Sequence, residues 1–116
     1  MTPAPPSAPR MRPTVIVSTY NQPRWLEKTL WGYAAQTHRD FELLIADDGS
    51  GPETAATLAR VCGETGLAAR HVWHADDGFR KTEILNHAIR AATTDYLIFT
   101  DGDCIPRRDF VATHVR

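Results

Sequence analysis

The sequence has few of the features that mark secreted, membrane or nucleic-acid-binding proteins. Its 116 residues include only two cysteines, and 13 basic residues are balanced by 14 acidic ones, for a net charge of -1. Two cysteines without a CxxC spacing do not support a disulfide framework or a structural zinc site. No apolar run approaches the roughly 18 residues of a membrane span, and no apolar stretch marks a secretory signal. We therefore expect a small-molecule partner, no nucleic-acid partner, no membrane span in this chain and a cytoplasmic location.

The first 13 residues differ in composition from the rest of the chain. They contain five prolines together with alanine, serine and arginine. Such a segment buries too little apolar surface to offset the entropy that ordering costs. We predict a disordered leader over residues 1–13 and one α/β domain over residues 14–116, since a chain of this length forms at most one domain.

From residue 14 onward, short apolar runs alternate with segments of helical periodicity. The predicted strands cover residues 15–17, 41–46, 71–74 and 96–100, with helices between them and a last helix beginning near Pro106. Strands that alternate with helices imply parallel pairing, right-handed crossovers and helices on both faces of the sheet. The predicted fold is α/β, with a Rossmann-like, mostly parallel sheet and flanking helices.

Polar residues follow each predicted strand, at the edge where ligands bind in open α/β sheets. They are found at positions 20–21, 47–50, 74–77 and 101–103. Acidic residues occur at three of these four strand ends, which ordinary loop polarity explains poorly. Ser50 and Glu53 also form an S-x-x-E capping box, which predicts that the second helix begins there.

Asp101 and Asp103 indicate a metal site. Residues two apart in an extended chain point the same way, with Cα atoms about 6–7 Å apart. Mg²⁺ takes one or two carboxylates and completes its shell with water and substrate phosphates. The alternative is a polar turn in which Gly102 supplies a positive φ.

Other polar residues at these strand ends complete a candidate nucleotide diphosphate site. Asp47 and Asp48 can accept hydrogen bonds from a base N–H or a ribose hydroxyl, and Tyr20 offers a flat face for stacking. Arg80 and Lys81, at the start of the third predicted helix, can meet phosphate together with free backbone amides. Each residue also has an ordinary structural explanation, as a core, capping or solvated helix residue.

The order of these motifs resembles that of family 2 glycosyltransferases. The motifs are TYN at 19–21, QT at 36–37, DDGS at 47–50, an Asn-bearing helix at 86–89 and DGD at 101–103. A lone DxD is weak evidence, whereas this series is specific and extends along almost the whole chain after Pro13. The segment DDGFR at 76–80 further resembles members that build amino-sugar and uronic-acid polysaccharides or decorate surface glycans.

The resemblance implies the N-terminal part of a GT-A fold, which binds a nucleotide-sugar donor, commonly a UDP-sugar, with Mg²⁺ or Mn²⁺. By matching motif, Ser18 and Tyr20 would flank the base. Asp48 would hydrogen-bond the uracil or its equivalent, and Asp47 would support the loop.

The same resemblance implies roles on the diphosphate side of the site. Arg80, Lys81 and Asn86 would lie near the base or the diphosphate. Asp103 would ligate the metal, while Asp101 would contact the ribose or a metal-bound water, and both aspartates are candidate metal residues.

Family members of this type invert the anomeric centre by direct displacement, with a hydroxyl of a glycan or other acceptor as nucleophile. The reaction needs a metal to neutralise the departing diphosphate and a carboxylate base to deprotonate the acceptor. In the family the base follows the DxD motif at some distance, so we expect it beyond Arg116, and Asp109 is too close to serve. The domain is therefore expected to be incomplete at its C-terminus, to self-associate through exposed apolar surface, and to work at the inner face of a membrane with a glycan-synthesis complex.

Two other classes of function stay open. The absent base favours a non-catalytic nucleotide-sugar-binding module or remnant. Receiver domains and haloacid-dehalogenase-like phosphatases also place acids after strands, but they do so after the first strand. Here the acidic pair follows the second predicted strand and DGD the fourth, and Lys81 opens a helix instead of ending a strand.

Overall fold

A computed structural model of the chain describes residues 12–115. Residues 1–11 of the predicted leader, which was expected to cover residues 1–13, therefore lie outside the described residues. Four strands alternate with four helices. In chain order they are β1 (Pro13–Thr19), α1 (Pro23–Ala34), β2 (Glu42–Asp47), α2 (Pro52–Thr65), β3 (Arg70–Trp73), α3 (Lys81–Ala91), β4 (Tyr96–Asp101) and α4 (Phe110–His114).

The strands form one sheet in the order β3-β2-β1-β4, and every neighbouring pair is parallel. The central strands β1 and β2 are buried almost throughout and carry the apolar runs at 15–17 and 43–46, as expected for strands that are covered on both faces. The predicted α/β, Rossmann-like fold is confirmed. Because the chain runs parallel in every strand, all four carboxyl ends meet at one edge of the sheet.

Successive side chains of the strands point to opposite faces of the sheet and pack in two separate hydrophobic cores. On one face, Val15 and Val17 of β1 pack with the buried residues of α1 and α2. On the other face, Ile16 packs with Ile84 and Ala88 of α3. A three-layer arrangement results, and it fixes which polar residues at the strand ends face α3.

Three predicted boundaries are wrong by one to a few residues. Pro13, assigned to the leader, opens β1 and pairs with Tyr96, because a proline at the first position of a strand withholds no ladder hydrogen bond. The second helix is capped by Gly51 and begins at Pro52. Ser50 does not cap it, because its Oγ accepts a hydrogen bond from the backbone N–H of Asn21 at 2.8 Å.

The third error concerns the last helix, which begins at Phe110 instead of near Pro106. The buried amide of Gln36 donates to the carbonyl oxygen of Arg107 at 2.6 Å and accepts from the N–H of Val111 at 3.0 Å. The backbone N–H of Thr37 donates to the carbonyl of Arg108 at 2.9 Å. The QT motif therefore ties the segment after β4 to the end of α1 and uses carbonyls that a helix would need.

None of the helices within residues 12–115 is long and apolar enough to cross a membrane. Phe99 of the edge strand β4 lies on the α3 side of the sheet and is 51% exposed. Self-association through such surface stays a prediction.

Candidate functional site

A cavity of about 350 Å³ opens at the carboxyl ends of β1, β2 and β4. It brings together six of the residues singled out from the sequence, namely Ser18, Tyr20, Asp48, Lys81, Asp101 and Asp103. Thr19, Gln22, Ala46, Phe79, Ile84 and Gly102 complete the lining. The cavity therefore joins the candidate base-binding residues to the candidate metal-binding residues.

The DGD segment forms a turn at the end of β4. The strand ends at Asp101, and the N–H of Cys104 donates back to the carbonyl of Asp101 at 3.1 Å. The N–H of Gly102 donates to the carbonyl of Ser18 at 2.7 Å, and a Cβ at Gly102 would lie 3.0 Å from that same oxygen. The two carboxylates are thus brought together by a turn that is fastened to β1, and not by an extended chain as the sequence analysis assumed.

The donor set of this turn fits a divalent cation. Asp101, Asp103 and Cys104 each offer a ligand atom, and these atoms all lie within 4.8 Å of one another. Carboxylate oxygens suit Mg²⁺ and Mn²⁺, and a thiolate is a softer ligand. The residues present therefore fit a bound Mg²⁺ or Mn²⁺, with the two carboxylates as the matching ligands.

Asp101 is the most heavily engaged of these groups. Its Oδ1 accepts from Ser18 Oγ at 2.7 Å and from Lys81 Nζ at 3.1 Å. The hydrogen bond from Ser18 and that from Lys81 lower the pKa of Asp101. The carboxylate at the end of β4 is ionised and already faces one cation.

Asp48 stands at the opposite side of the cavity and is nearly buried. His74 Nε2 lies 2.5 Å from its Oδ1, and the backbone N–H of Arg80 donates to its Oδ2 at 2.9 Å. Its own N–H donates to the carbonyl of Thr19 at 3.1 Å. Contacts on each oxygen and on the backbone hold this carboxylate in one orientation at the cavity wall.

Asp47, one residue earlier, points to the other side of the sheet and does not line the cavity. It is fully buried, with His71 Nε2 at 2.7 Å from Oδ2 and the N–H of Ser50 donating to Oδ1 at 2.9 Å. Burial by itself raises the pKa of Asp47, but the bonds from His71 and Ser50 outweigh it and the pKa is lowered. Asp47 is placed to brace the β2–α2 loop and not to meet a ligand in the cavity.

The loops after β1 and β2 are fastened to each other. Asn21 has a φ of 47°, in the left-handed region that asparagine tolerates better than most residues. Its N–H donates to Ser50 Oγ, and its Oδ1 accepts from the N–H of Gly51, both at 2.8 Å. Because Tyr20 immediately precedes Asn21, this pair of bonds also fixes the position of the tyrosine.

Tyr20 is 46% exposed, and its hydroxyl donates to Asp76 Oδ2 at 2.7 Å. The hydrogen bond to Asp76 raises the pKa of Tyr20. Asp76 is held near by a close backbone approach, since a Cβ at Gly49 would lie only 2.4 Å from the Cα of Asp76. The aromatic ring is thus anchored beside the cavity with much of its surface free for a ligand.

Two residues expected near the donor do not line the cavity. The Arg80 guanidinium pairs with Asp77 at 3.1 Å and Glu83 at 2.5 Å, so only its backbone N–H reaches the site, through Asp48. Asn86 is exposed on α3. The family resemblance assigned Arg80, Lys81 and Asn86 together, whereas of these three side chains only that of Lys81 lines the cavity.

The sequence analysis placed His74 at the ligand-binding edge of the sheet without giving it a role, and it gave Gln22 and Phe79 none either. Phe79 is 88% exposed although it borders the cavity, and no pattern distinguishes it from a surface residue. A role for His74 could have been inferred, because it follows β3 at the same sheet edge as Asp48 and comes two residues after Val72, which faces α3. Because the third strand has few apolar residues, the sequence did not show which of its side chains face α3.

The sequence matches the family model described as Glycosyl transferase family 2 over residues 14–116. It is 32% identical over 103 residues to the hyaluronan synthase of Pasteurella multocida, covering 88% of this chain and 10% of that protein. It is 33% identical over 100 residues to validoxylamine A glucosyltransferase of Streptomyces hygroscopicus subsp. jinggangensis, covering 84% of this chain and 23% of that protein. The chain therefore spans a quarter or less of the length of these relatives.

Solved structures agree on the fold. A mannosyltransferase from Pyrobaculum calidifontis, PcManGT, in complex with GDP-Man and Mn²⁺, superposes with a TM-score of 0.79 at 31% identity, over 89% of this chain and 31% of that one. TarS 1-349 of S. aureus in complex with UDP-GlcNAc gives a TM-score of 0.72 at 23% identity, over 90% of this chain and 30% of that one. The resemblance inferred from the motifs is confirmed: this chain belongs to glycosyl transferase family 2.

Proposed function

We propose that this chain forms the donor-binding part of an inverting glycosyltransferase that transfers a sugar from a nucleotide-diphosphate sugar, with a UDP-sugar as the favoured donor, to a hydroxyl of a glycan or other acceptor. The observation that carries the proposal is the single cavity between Asp48 and Tyr20 on one side and Lys81, Asp101 and Asp103 on the other. A nucleotide diphosphate needs a flat contact and a polar partner for its base, and cations for its phosphates.

On the base side, the Tyr20 ring offers a stacking surface and Asp48 offers carboxyl oxygens as acceptors for a base N–H. Ser18 lies between the two ends of the cavity, with its hydroxyl on Asp101. Asp47 acts indirectly, because it fixes the loop that carries Asp48. We place Arg80 and Asn86 outside direct contact in this arrangement.

On the diphosphate side, Asp103 and Asp101 would hold Mg²⁺ or Mn²⁺, and Lys81 would contact the phosphate oxygens. The bound ion would supply charge neutralisation for the departing diphosphate. The mannosyltransferase at 31% identity is a complex with Mn²⁺ and a nucleotide sugar, which supports this part of the proposal. We expect the base that deprotonates the acceptor to be provided by a segment outside these 116 residues.

The relatives also indicate the process. The hyaluronan synthase named above and the chondroitin synthase of Pasteurella multocida, 30% identical over 103 residues, both bear the names of polysaccharide synthases. Synthesis of a polysaccharide or surface glycan is accordingly the setting we propose. The second candidate is a non-catalytic nucleotide-sugar-binding module, which is favoured by the location of every assigned residue on the donor side.

Calorimetry on the full chain tests the donor site. UDP is titrated in the presence of Mn²⁺, and the same samples are assayed for hydrolysis of a UDP-sugar and for transfer to a range of hydroxyl acceptors. Binding that requires Mn²⁺ supports a donor site, and the absence of any UDP or GDP binding contradicts it. Hydrolysis or transfer of the donor by this chain would contradict the binding-module candidate.

A further inference from the structure

His74 contacts Asp48, but the proposed donor site gives His74 no role. Its Nε2 lies 2.5 Å from Asp48 Oδ1, and its side chain is only 16% exposed. The ring does not line the cavity, whereas Asp48 does. His74 therefore reaches the cavity only through the carboxylate.

The chemistry of the pair fixes which group donates. A carboxylate oxygen accepts hydrogen bonds, so this contact assigns an N–H to Nε2 of the imidazole. The ring is itself supported from behind, since the His87 ring on α3 lies edge-on with its centroid 5.9 Å away. The donor is thus held in place by packing as well as by its hydrogen bond.

Both oxygens of Asp48 are consequently engaged by the protein before any ligand arrives. His74 contacts Oδ1, and the backbone N–H of Arg80 donates to Oδ2. A carboxylate has about four acceptor sites, so each oxygen can still accept one further N–H. A base N–H would therefore meet a carboxylate whose orientation is already set by two protein donors.

We propose that His74 is a positioning residue for base recognition, which orients Asp48 to accept an N–H of the base. Uracil and guanine both present a ring N–H to such an acceptor. The inference rests on the proposed function, because it assigns the base side of the same cavity.

The test compares the Kd values of UDP and GDP for wild type, His74→Ala and His74→Gln, with Mn²⁺ present. The alanine variant is expected to weaken UDP binding roughly tenfold, the size of one hydrogen bond to a charged group, and to weaken GDP binding as well. Glutamine offers an N–H donor in place of the ring, so His74→Gln should restore most of the UDP affinity. In an Asp48→Asn background, His74→Ala should have no further effect.

Two controls guard against a general loss of structure. His38→Ala removes a ring that contacts the Asp40 carbonyl before β2, at the opposite edge of the sheet, and should leave both nucleotides unaffected. Binding of Mn²⁺ alone reports on the DGD turn and should not change in His74→Ala. Thermal unfolding followed by circular dichroism shows whether each variant is folded.

Each of the following results would contradict either the positioning role of His74 or the proposed function. If His74→Ala binds UDP as wild type does, or weakens UDP, GDP and Mn²⁺ alike, the positioning role is wrong while the donor site stands. If wild type binds neither nucleotide, the proposed function fails, and this inference fails with it.

Discussion

Lys81 Nζ lies 3.1 Å from Asp101 Oδ1, so the first residue of α3 brings a cation onto the carboxylate that ends β4. A bound divalent ion would compete with this ammonium for the carboxylate. A diphosphate, in contrast, would offer the ammonium a new partner in the same cavity. Lys81 is therefore expected to oppose a metal that binds alone and to favour a metal that binds with a nucleotide.

Replacement of Lys81 by Met tests whether the affinity for Mn²⁺ alone and the affinity for UDP with Mn²⁺ change in opposite directions. Mn²⁺ alone should bind up to about fivefold more tightly, since an exposed ion pair contributes at most about 1 kcal/mol. UDP with Mn²⁺ should bind about tenfold more weakly, because a charge-assisted hydrogen bond to phosphate is lost. Both constants come from calorimetry, with Lys28→Met, on the opposite side of the sheet beside Trp25, as the matched control. A loss of affinity for both ligands would show that Lys81 supports the turn instead.

Asp103 provides the second prediction. Asp103→Asn keeps the size of the side chain but removes the charge, and a hard cation binds neutral amide oxygens less strongly than carboxylates. We expect Mn²⁺ affinity to fall at least tenfold, measured from the free-ion signal in electron paramagnetic resonance. Asp109→Asn, which alters a carboxylate just before α4 that pairs with Arg107, should bind Mn²⁺ like wild type. Equal Mn²⁺ affinity in wild type, Asp103→Asn and Asp109→Asn would show that Asp103 does not bind the metal.

Gly49 provides a prediction about the architecture of the site. Its φ is 91°, and an added Cβ would lie 2.4 Å from the Cα of Asp76. Gly49→Ala should therefore lower the free energy of unfolding by at least about 1–3 kcal/mol, from backbone strain and the forced separation of the two loops. It should also weaken UDP binding, because Asp76 anchors the hydroxyl of Tyr20.

Gly63→Ala serves as a control, because its free energy of unfolding is expected to change in the opposite direction. Gly63 lies within α2, and an added Cβ would meet nothing within 4 Å. Gly63→Ala should raise the free energy of unfolding by about 0.5–1 kcal/mol through helix propensity. Urea denaturation measures both variants. If Gly49→Ala proved as stable as wild type, the tight contact between the two loops would be contradicted.

The sequence was sufficient for those features that follow from backbone periodicity. The apolar runs of β1 and β2 and the helical spacing of Ile84 and Ala88 predicted the parallel sheet and its covering helices. The collection of Asp48 and Asp101 at one edge then followed, because parallel strands end on the same side.

Features that depend on tertiary contacts could not be read in this way. Asp47 and Asp48 are equivalent in residue type, and it was the family resemblance that gave them different roles; in the structure strand alternation sends Asp47 into the core and Asp48 to the cavity. Arg80 appeared to be a phosphate ligand, but its guanidinium is held by Asp77 and Glu83. The helix that was expected near Pro106 starts later, because Gln36 engages the preceding carbonyl of Arg107.

The contact between the buried Asp47 carboxylate and His71 gives the last prediction. His71→Ala leaves this carboxylate with Ser50 as its remaining hydrogen-bond partner. Loss of one partner of a buried hydrogen-bonded group costs about 1–3 kcal/mol, so the variant should unfold at lower urea concentration at pH 7. Asp47→Asn, which removes the charge as well, should be destabilised less than His71→Ala.

The same pair sets a dependence on pH whose sign can be stated. The pKa of Asp47 is lowered from its ordinary value of 3.8, so the unfolded chain takes up this proton before the folded one does. The stabilisation is complete well above pH 3.8 and is lost as the pH falls through the lower pKa of the folded state. The difference in unfolding free energy between wild type and Asp47→Asn should therefore stay constant from pH 7 to about pH 5 and shrink below pH 3.8. A difference that grew as the pH fell would mean that the pKa of Asp47 is raised in the folded protein, and that burial outweighs the hydrogen bonds from His71 and Ser50.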